Sequence, residues 1–331
     1  MKILSGDIGG TNSRLALCEV DGGKVRRIVE SVYDSRRHES LAHIARAFIT
    51  EQQLEVDTAC FGVPGPVQGR RAKVTNLPWE VDADELERNL GIDSVYLLND
   101  LEANAHGLAT LTDFDFRELR PGAASAVGNA GLLAAGTGLG EAGLFWDGLR
   151  HRPFACEGGH TDFAPADDDE LELLRFVQAR VGGHVSWERV VSGPGIVCLY
   201  EFLAGRDPGA RSKVLAEAMQ AGDPAEEIAS AALRGDDSLA ERTIQWFLAL
   251  YGAEAGNVAL KLFATGGVYL GGGIAPKLAS LLPHSRFVER FQGKGRMQPL
   301  LERIAISIVL NDKAALQGAA SFAARRSRGE H

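Results

Sequence analysis

A short apolar strand that runs into glycines and returns as a second strand occurs twice in this chain. That arrangement narrows the fold more than any other feature. In the first copy Ile3–Ile8 reads as a buried strand, Gly9-Gly10-Thr11 as the turn and the alternating run Arg14–Val20 as the returning strand. In the second, Leu132–Ala135 leads into Gly136-Thr137-Gly138-Leu139-Gly140, and Glu141–Trp146 returns. The two copies do not repeat residue by residue; it is the architecture that is duplicated.

Such turns carry chemistry. In Gly6-Asp7-Ile8-Gly9-Gly10-Thr11-Asn12 the adjacent glycines let the backbone approach an anion and present N–H groups to it. Gly6, Asp7, Ile8, Gly9, Gly10 and Thr11 are therefore a candidate phosphate-binding segment, with Asp7 placed to hold Mg²⁺ through water. A hairpin turn with a capping Asp is the plainer alternative. The segment is not a Walker A loop, since no Gly-Lys-Ser/Thr follows, nor a dinucleotide fingerprint, since a strand follows where a helix would be needed. Gly136, Thr137 and Gly138 taken alone are equally a tight turn; as a partner to the first turn they would clamp a triphosphate from its other side. Gly271-Gly272-Gly273-Ile274, between a strand and a helix, fits a turn on which a nucleoside lies flat against Gly272 and Gly273, with a simple strand–helix connection as the alternative.

Carboxylates supply the other half of the reading. Val95–Leu98 is a buried strand that delivers Asn99-Asp100 at its C-terminal end, a common catalytic position in α/β folds. A carboxylate there takes a hydroxyl proton as a nucleophile forms; equally, Asp100 would cap a helix starting at Leu101. Glu157-Gly158-Gly159-His160 sets a carboxylate and an imidazole around two glycines, a pair suited to charge-assisted hydrogen bonds with sugar hydroxyls. Glu188, by itself, reads as a solvated helix carboxylate. The acidic run Asp167–Glu170 reads as a helix N-terminus rather than a metal site.

With 331 residues the chain suits two domains, joined by short crossings near residues 110 and 310. Helical spacing marks Leu41–Ile49, Ala83–Leu90 with Asp82 as N-cap, Asp167–Val181, Pro194–Gly205, Arg211–Leu233, Asp236–Phe263 and a closing helix from about Asp312 to Ala324. Strands are predicted at Lys24–Val32 after an Asp21-Gly22-Gly23 turn, at Thr58–Val63, Arg71–Thr75, Gly266–Leu270 and Ile304–Val309. The net charge of −9 argues against nucleic acid or an anionic membrane as partner. The cysteines, Cys18, Cys60, Cys156 and Cys198, are scattered, which suits a reducing cytoplasm and neither a zinc site nor a disulfide framework. No run approaches the roughly 18 apolar residues of a membrane span. The opening residues lack a signal-peptide layout, and no DNA-binding domain is expected before Ile3.

Taken in order, GDIGGTN, LLND at Leu97–Asp100, AAGTGLG, EGGHTDFAP at Glu157–Pro165, HVSWERVVSGPG at His184–Gly195 and GGVYLGGGIAPK at Gly266–Lys277 resemble the bacterial glucokinase family, over nearly the whole chain. The resemblance implies a two-domain actin-like ATPase fold, a duplicated ribonuclease H-like α/β architecture with a central cleft. Residues 1–110 with about 311–331 would form the small domain and 111–310 the large one. It implies transfer of the γ-phosphoryl of ATP to the 6-hydroxyl of glucose, an early glycolytic step, with Asp100 as general base. Asn99, Asp100, Glu157, His160 and Glu188 would bind the sugar, the glycine turns would hold ATP and Mg²⁺, and a homodimer is usual among similar proteins. A kinase for another hexose and a non-enzymatic sugar sensor are the competing readings. Two residues depart from the expected pattern: Cys156, whose thiol would sensitise the site to oxidation, and the bulky Trp187. The cysteine cluster of the related repressor and kinase family is absent from the sequence.

Overall fold

The computed structural model describes all residues except 23, 76, 125–126 and 331. The expected turn at Asp21-Gly22-Gly23 ends on Gly23 and so falls partly outside the described residues. The chain divides into two units: Met1–Asp115 with His151–Ala155 and Asn311–His331, and Phe116–Arg150 with Cys156–Leu310.

The first unit contains β1 (Lys2–Ile8), β2 (Asn12–Asp21), β3 (Lys24–Asp34), α1 (Leu41–Glu51), β4 (Thr58–Val63), β5 (Val67–Gln68), β6 (Arg71–Lys73), β7 (Glu80–Asp82), α2 (Ala83–Leu90), β8 (Val95–Asn99) and α3 (Asp100–Leu108). Its main sheet has the order β3-β2-β1-β4-β8. β1 pairs antiparallel with β2 and parallel with β4, and β4 pairs parallel with β8. β4 is buried along its whole length, as a parallel strand covered on both faces must be. On one face Leu4, Ile8, Leu15 and Phe61 pack against Leu41, Ile44 and Phe48 of α1 and Leu86 of α2. On the other, Ile3, Ala16, Cys60 and Leu98 meet Leu316, Ala319 and Ala323 of the C-terminal helix Ala314–Ser327. Asp82 caps α2 by accepting from the N–H groups of Asp84 and Glu85.

In the second unit β9 (Phe116–Arg120), β10 (Ala130–Ala135) and β11 (Leu139–Trp146) are followed by β12 (His151–Cys156), which straddles the division between the units. Then come α4 (Asp168–Val181), α5 (Gly193–Arg206), α6 (Lys213–Ala221), α7 (Pro224–Arg234), α8 (Ser238–Lys261), β13 (Gly267–Gly271), α9 (Ile274–Lys277), α10 (Phe287–Gln292) and β14 (Ile306–Val309). β10 pairs antiparallel with β11 and parallel with β13; β13 pairs parallel with β14, which meets β9 antiparallel. The pairing that β1 makes with β2 and β4 is thus repeated by β10 with β11 and β13. The helices enclose the larger core, with Phe247, Leu250 and Tyr251 of α8 among its fully buried residues. One expectation fails here. Arg211–Leu233 is two helices, because Pro224 cannot continue α6 and Asp223 instead caps α7 through the N–H groups of Ala225 and Glu226.

Candidate active site

In the first unit the parallel strands β1, β4 and β8 end along one edge of the sheet. Asp7 stands opposite Gly62, and Gly62 opposite Leu98. The end of β1 that leads into the glycine turn and the end of β8 that leads into Asp100 therefore lie at the same edge with only β4 between. Two strand spacings of about 4.8 Å put them roughly 10 Å apart.

The turn itself is held by short-range bonds. The Gly9 N–H donates to the Asn12 carbonyl at 3.0 Å. Ser35, fully buried just after β3, grips both sides: its N–H donates to the Thr11 carbonyl at 2.8 Å and its hydroxyl to the Gly9 carbonyl at 2.7 Å. The Ser13 hydroxyl lies 2.8 Å from that of Ser35. Nothing in the sequence singled out Ser35; it acts on residues more than twenty positions away. With the carbonyls turned inward, the N–H groups of Gly10 and Thr11 belong to a partly open turn.

Asp7 lies beneath this turn. Burial pushes its carboxyl pKa up, the nearby Arg14 pulls it back, Asp312 pushes it further up and Lys313 opposes. Arg14 and Lys313 are themselves engaged by Glu30, at 3.6 and 2.8 Å. A desolvated carboxylate with such partial compensation fits a site completed by a cation. No cluster of three or more His, Cys, Asp or Glu that could hold a metal occurs among the described residues.

Asn99 and Asp100 sit where β8 passes into α3. Asn99, not Asp100, is the N-cap: its side-chain oxygen accepts from Leu101 N–H at 3.0 Å and Glu102 N–H at 3.3 Å, while its amide nitrogen donates to the Gly65 carbonyl at 3.1 Å. Asp100 is the first residue of α3 and accepts from Leu101 N–H at 2.9 Å. A carboxylate on the first turn is favoured by the helix dipole.

In the second unit the turn Gly136–Gly138 joins β10 to β11, and the Gly136 N–H donates to the Gly138 carbonyl at 2.9 Å. The N–H of Gly193, opening α5, donates to the Gly136 carbonyl at 2.8 Å. Glu188 completes the support, its Oε2 accepting from Leu139 N–H at 3.0 Å. Because β10 and β13 are parallel, with Ala134 opposite Gly271, the turn at Gly272-Gly273 arrives beside the first one. Gly272 has φ +76°, and a Cβ there would lie 2.3 Å from the Ala135 carbonyl oxygen, so only glycine fits. The structure thus brings Gly136, Thr137 and Gly138 next to Gly272 and Gly273.

Glu157, His160 and Glu188 also converge. His160 Nε2 is 3.9 Å from Glu157 Oε2, and His160 Nδ1 is 3.9 Å from Glu188 Oε1. The Glu157 and His160 side chains are 57% and 60% exposed, open to a ligand. Long-range pairing builds this set: the Phe163 N–H donates to the Val185 carbonyl and the Trp187 N–H to the Thr161 carbonyl, laying one segment beside the other. Glu188 sits in the short helical turn Trp187–Arg189 and is not a solvated helix carboxylate. Trp187, flagged as a departure, points into the core, where it stacks edge-on against Phe163 at 5.0 Å. Cys156 is half-buried, and burial pushes its thiol pKa up, which works against the expected ease of oxidation.

A family model described as glucokinase matches residues 4–326. A glucokinase of Nostoc punctiforme is 41% identical over 337 residues, covering 98% of this chain and 99% of its own. The chain belongs to the glucokinase family. Among solved structures, a glucokinase from an Antarctic psychrotroph superposes with a TM-score of 0.82 at 31% identity, covering 98% of this chain and 99% of its own. A ROK family glucokinase from Streptomyces griseus, solved with glucose and AMPPNP, matches at TM-score 0.68 and 22% identity over 98% of this chain and 100% of its own, a likeness of fold. The duplicated α/β architecture is that of the actin-like sugar kinases in this family.

Proposed function

We infer that the protein is an ATP-dependent glucokinase, forming glucose 6-phosphate and ADP. The observation that carries this reading is the position of Asp100, at the first turn of α3 and one strand away from the glycine turn of β1. Membership of the family over nearly the full chain supports it.

In this reading Asp100 accepts the proton of the 6-hydroxyl as the oxygen attacks the γ-phosphorus. Glu157, His160 and Glu188 hold the other sugar hydroxyls by charge-assisted hydrogen bonds, and Asn99 adds the amide hydrogen that its bond to Gly65 leaves over. Gly6, Asp7, Ile8, Gly9, Gly10 and Thr11 line the phosphates on the first unit; Gly136, Thr137 and Gly138 do so on the second, with Gly272 and Gly273 against the adenosine. Asp7 would hold Mg²⁺ through water, and that ion would offset charge on the phosphate oxygens.

Among the described residues no helix is long and apolar enough to cross a membrane. A cytoplasmic homodimer working in glycolysis is the setting we propose. Light scattering of the purified protein tests the dimer. A panel of hexoses with ATP and Mg²⁺ tests the substrate: glucose should have the highest kcat/KM, and a clear preference for fructose, mannose or an N-acetylhexosamine would displace this reading. Asp100→Ala should abolish turnover while weakening glucose binding only modestly; an unchanged kcat would remove Asp100 as the base.

A further inference from the structure

Behind the turn that carries Glu157 and His160 lies a buried group of charges that phosphoryl transfer does not use. Glu141 projects from β11 and is 3% exposed. A Cβ on Gly158 would fall 1.8 Å from its Oε2, and one on Gly159 would fall 2.0 Å from the Leu139 carbonyl oxygen. The turn therefore lies directly on β11, with the Glu141 carboxyl as its floor. Glu141 Oε1 is buried without a hydrogen-bond partner among the described residues. From α8, the fully buried Glu254 stands against it, held by Lys261 Nζ at 3.0 Å and Asn257 Nδ2 at 2.7 Å. Beyond Glu254, Lys294 donates to Asn257 Oδ1 at 2.6 Å and to the Ala253 carbonyl at 2.8 Å. Cys156, entering the turn, also feels the charges of Glu141, Glu157 and Lys261.

We propose that Glu141 is a positioning residue for sugar binding: neutral, it seats Gly158 and so fixes Glu157 and His160; ionised, it unseats the turn and weakens glucose binding. Two carboxylates side by side in a buried site cannot both ionise cheaply. Burial first, then the charge of Glu254, push the Glu141 carboxyl up to about 8, against the pull of Lys261. Once charged, Glu141 must draw in water or recoil from Glu254. The backbone resting on it is Gly158, in the loop whose flanking side chains are exposed. The proposal rests on reading Glu157 and His160 as sugar ligands.

The test measures glucose binding without ATP, and KM for glucose with kcat, across pH for the whole protein. If only the neutral form binds well, KM should rise about tenfold between about pH 7 and about pH 9, with kcat at saturating glucose changing little. Glu141→Gln keeps the shape and removes the titration, so its KM should match the wild type at the lower pH and stay flat. Lys294, whose ammonium burial pushes down to about 8, titrates in the same window and is untouched by that variant. A pH dependence that survives in Glu141→Gln would therefore overturn the proposal. Should Glu141→Gln fail to fold, Glu254→Gln decides: removing the neighbouring charge should move the rise in KM to lower pH, and an unmoved profile would be fatal. Glu157→Gln at about pH 7 separates the two layers of the argument. If it leaves KM unchanged, the sugar-site reading falls and takes the proposal with it; if it raises KM while Glu141→Gln still titrates, Glu141 alone is excluded.

Discussion

The two glycine turns, to which we propose one task, have different supports. In the first unit Gly9–Thr11 is braced by neutral, buried hydroxyls, those of Ser35 and Ser13. In the second unit Gly136–Gly138 is braced by the Gly193 N–H and by a carboxylate, Glu188, which also faces His160. The first brace touches nothing that we assign to the sugar. The second ties the backbone of that turn to Glu188, which we propose as a sugar ligand. In the proposed reading duplicated architecture has not meant duplicated function: one copy keeps the nucleotide turn separate from the acceptor side, and the other couples them.

The sharpest contrast lies at Asp100, on the first turn of α3. Asp100→Asn should lower kcat by about 10²–10⁴-fold, the usual contribution of a general base, with little change in KM for ATP. A loss confined to KM would move the chemistry away from the first unit. Glu188→Ala comes next. It removes a hydrogen bond to a charged acceptor, worth about 1.5–3 kcal/mol, so KM should rise about tenfold or more. The rise should appear for both glucose and ATP, and a change in one alone would break the coupling. Ser35→Ala removes a neutral hydrogen bond worth about 1 kcal/mol, or about fivefold, and should affect KM for ATP but leave glucose binding unchanged.

The smallest effect separates a charged support from a neutral one by pH. The Glu141 carboxyl is raised in the folded protein, from 4.5 to about 8. Between those values the folded chain keeps a proton that the unfolded chain releases, so stability from this group falls as pH rises through the window and levels off above it. Glu141→Gln should flatten that part of the Tm–pH curve and raise Tm by a few degrees at about pH 8. The Ser35→Ala curve should run parallel to the wild type.

The strands that build both turns were legible because their apolar runs are continuous and end in glycine, and α2 because Asp82 is a strong cap. Glu188 was legible only through the motif around it. Its neighbours at Thr161–Phe163 lie more than twenty residues away, and cross-chain pairing leaves no local period. β9 and β12, with the sequences FRELR and HRPFAC, carry charge and proline where strand signals are sought. The break between α6 and α7 was written plainly as Gly222-Asp223-Pro224 but lay inside a long apolar periodicity. The cap at Asn99 was written as plainly, since Asn is among the best N-caps and precedes an acidic first turn.

Asn99 is anchored at both ends of its amide, which leaves the side chain beside Asp100 almost no freedom to reorient. The Glu157 and His160 side chains reach solvent, while the glycines between them rest on β11, so adaptation there is left to side-chain rotation and not to the backbone.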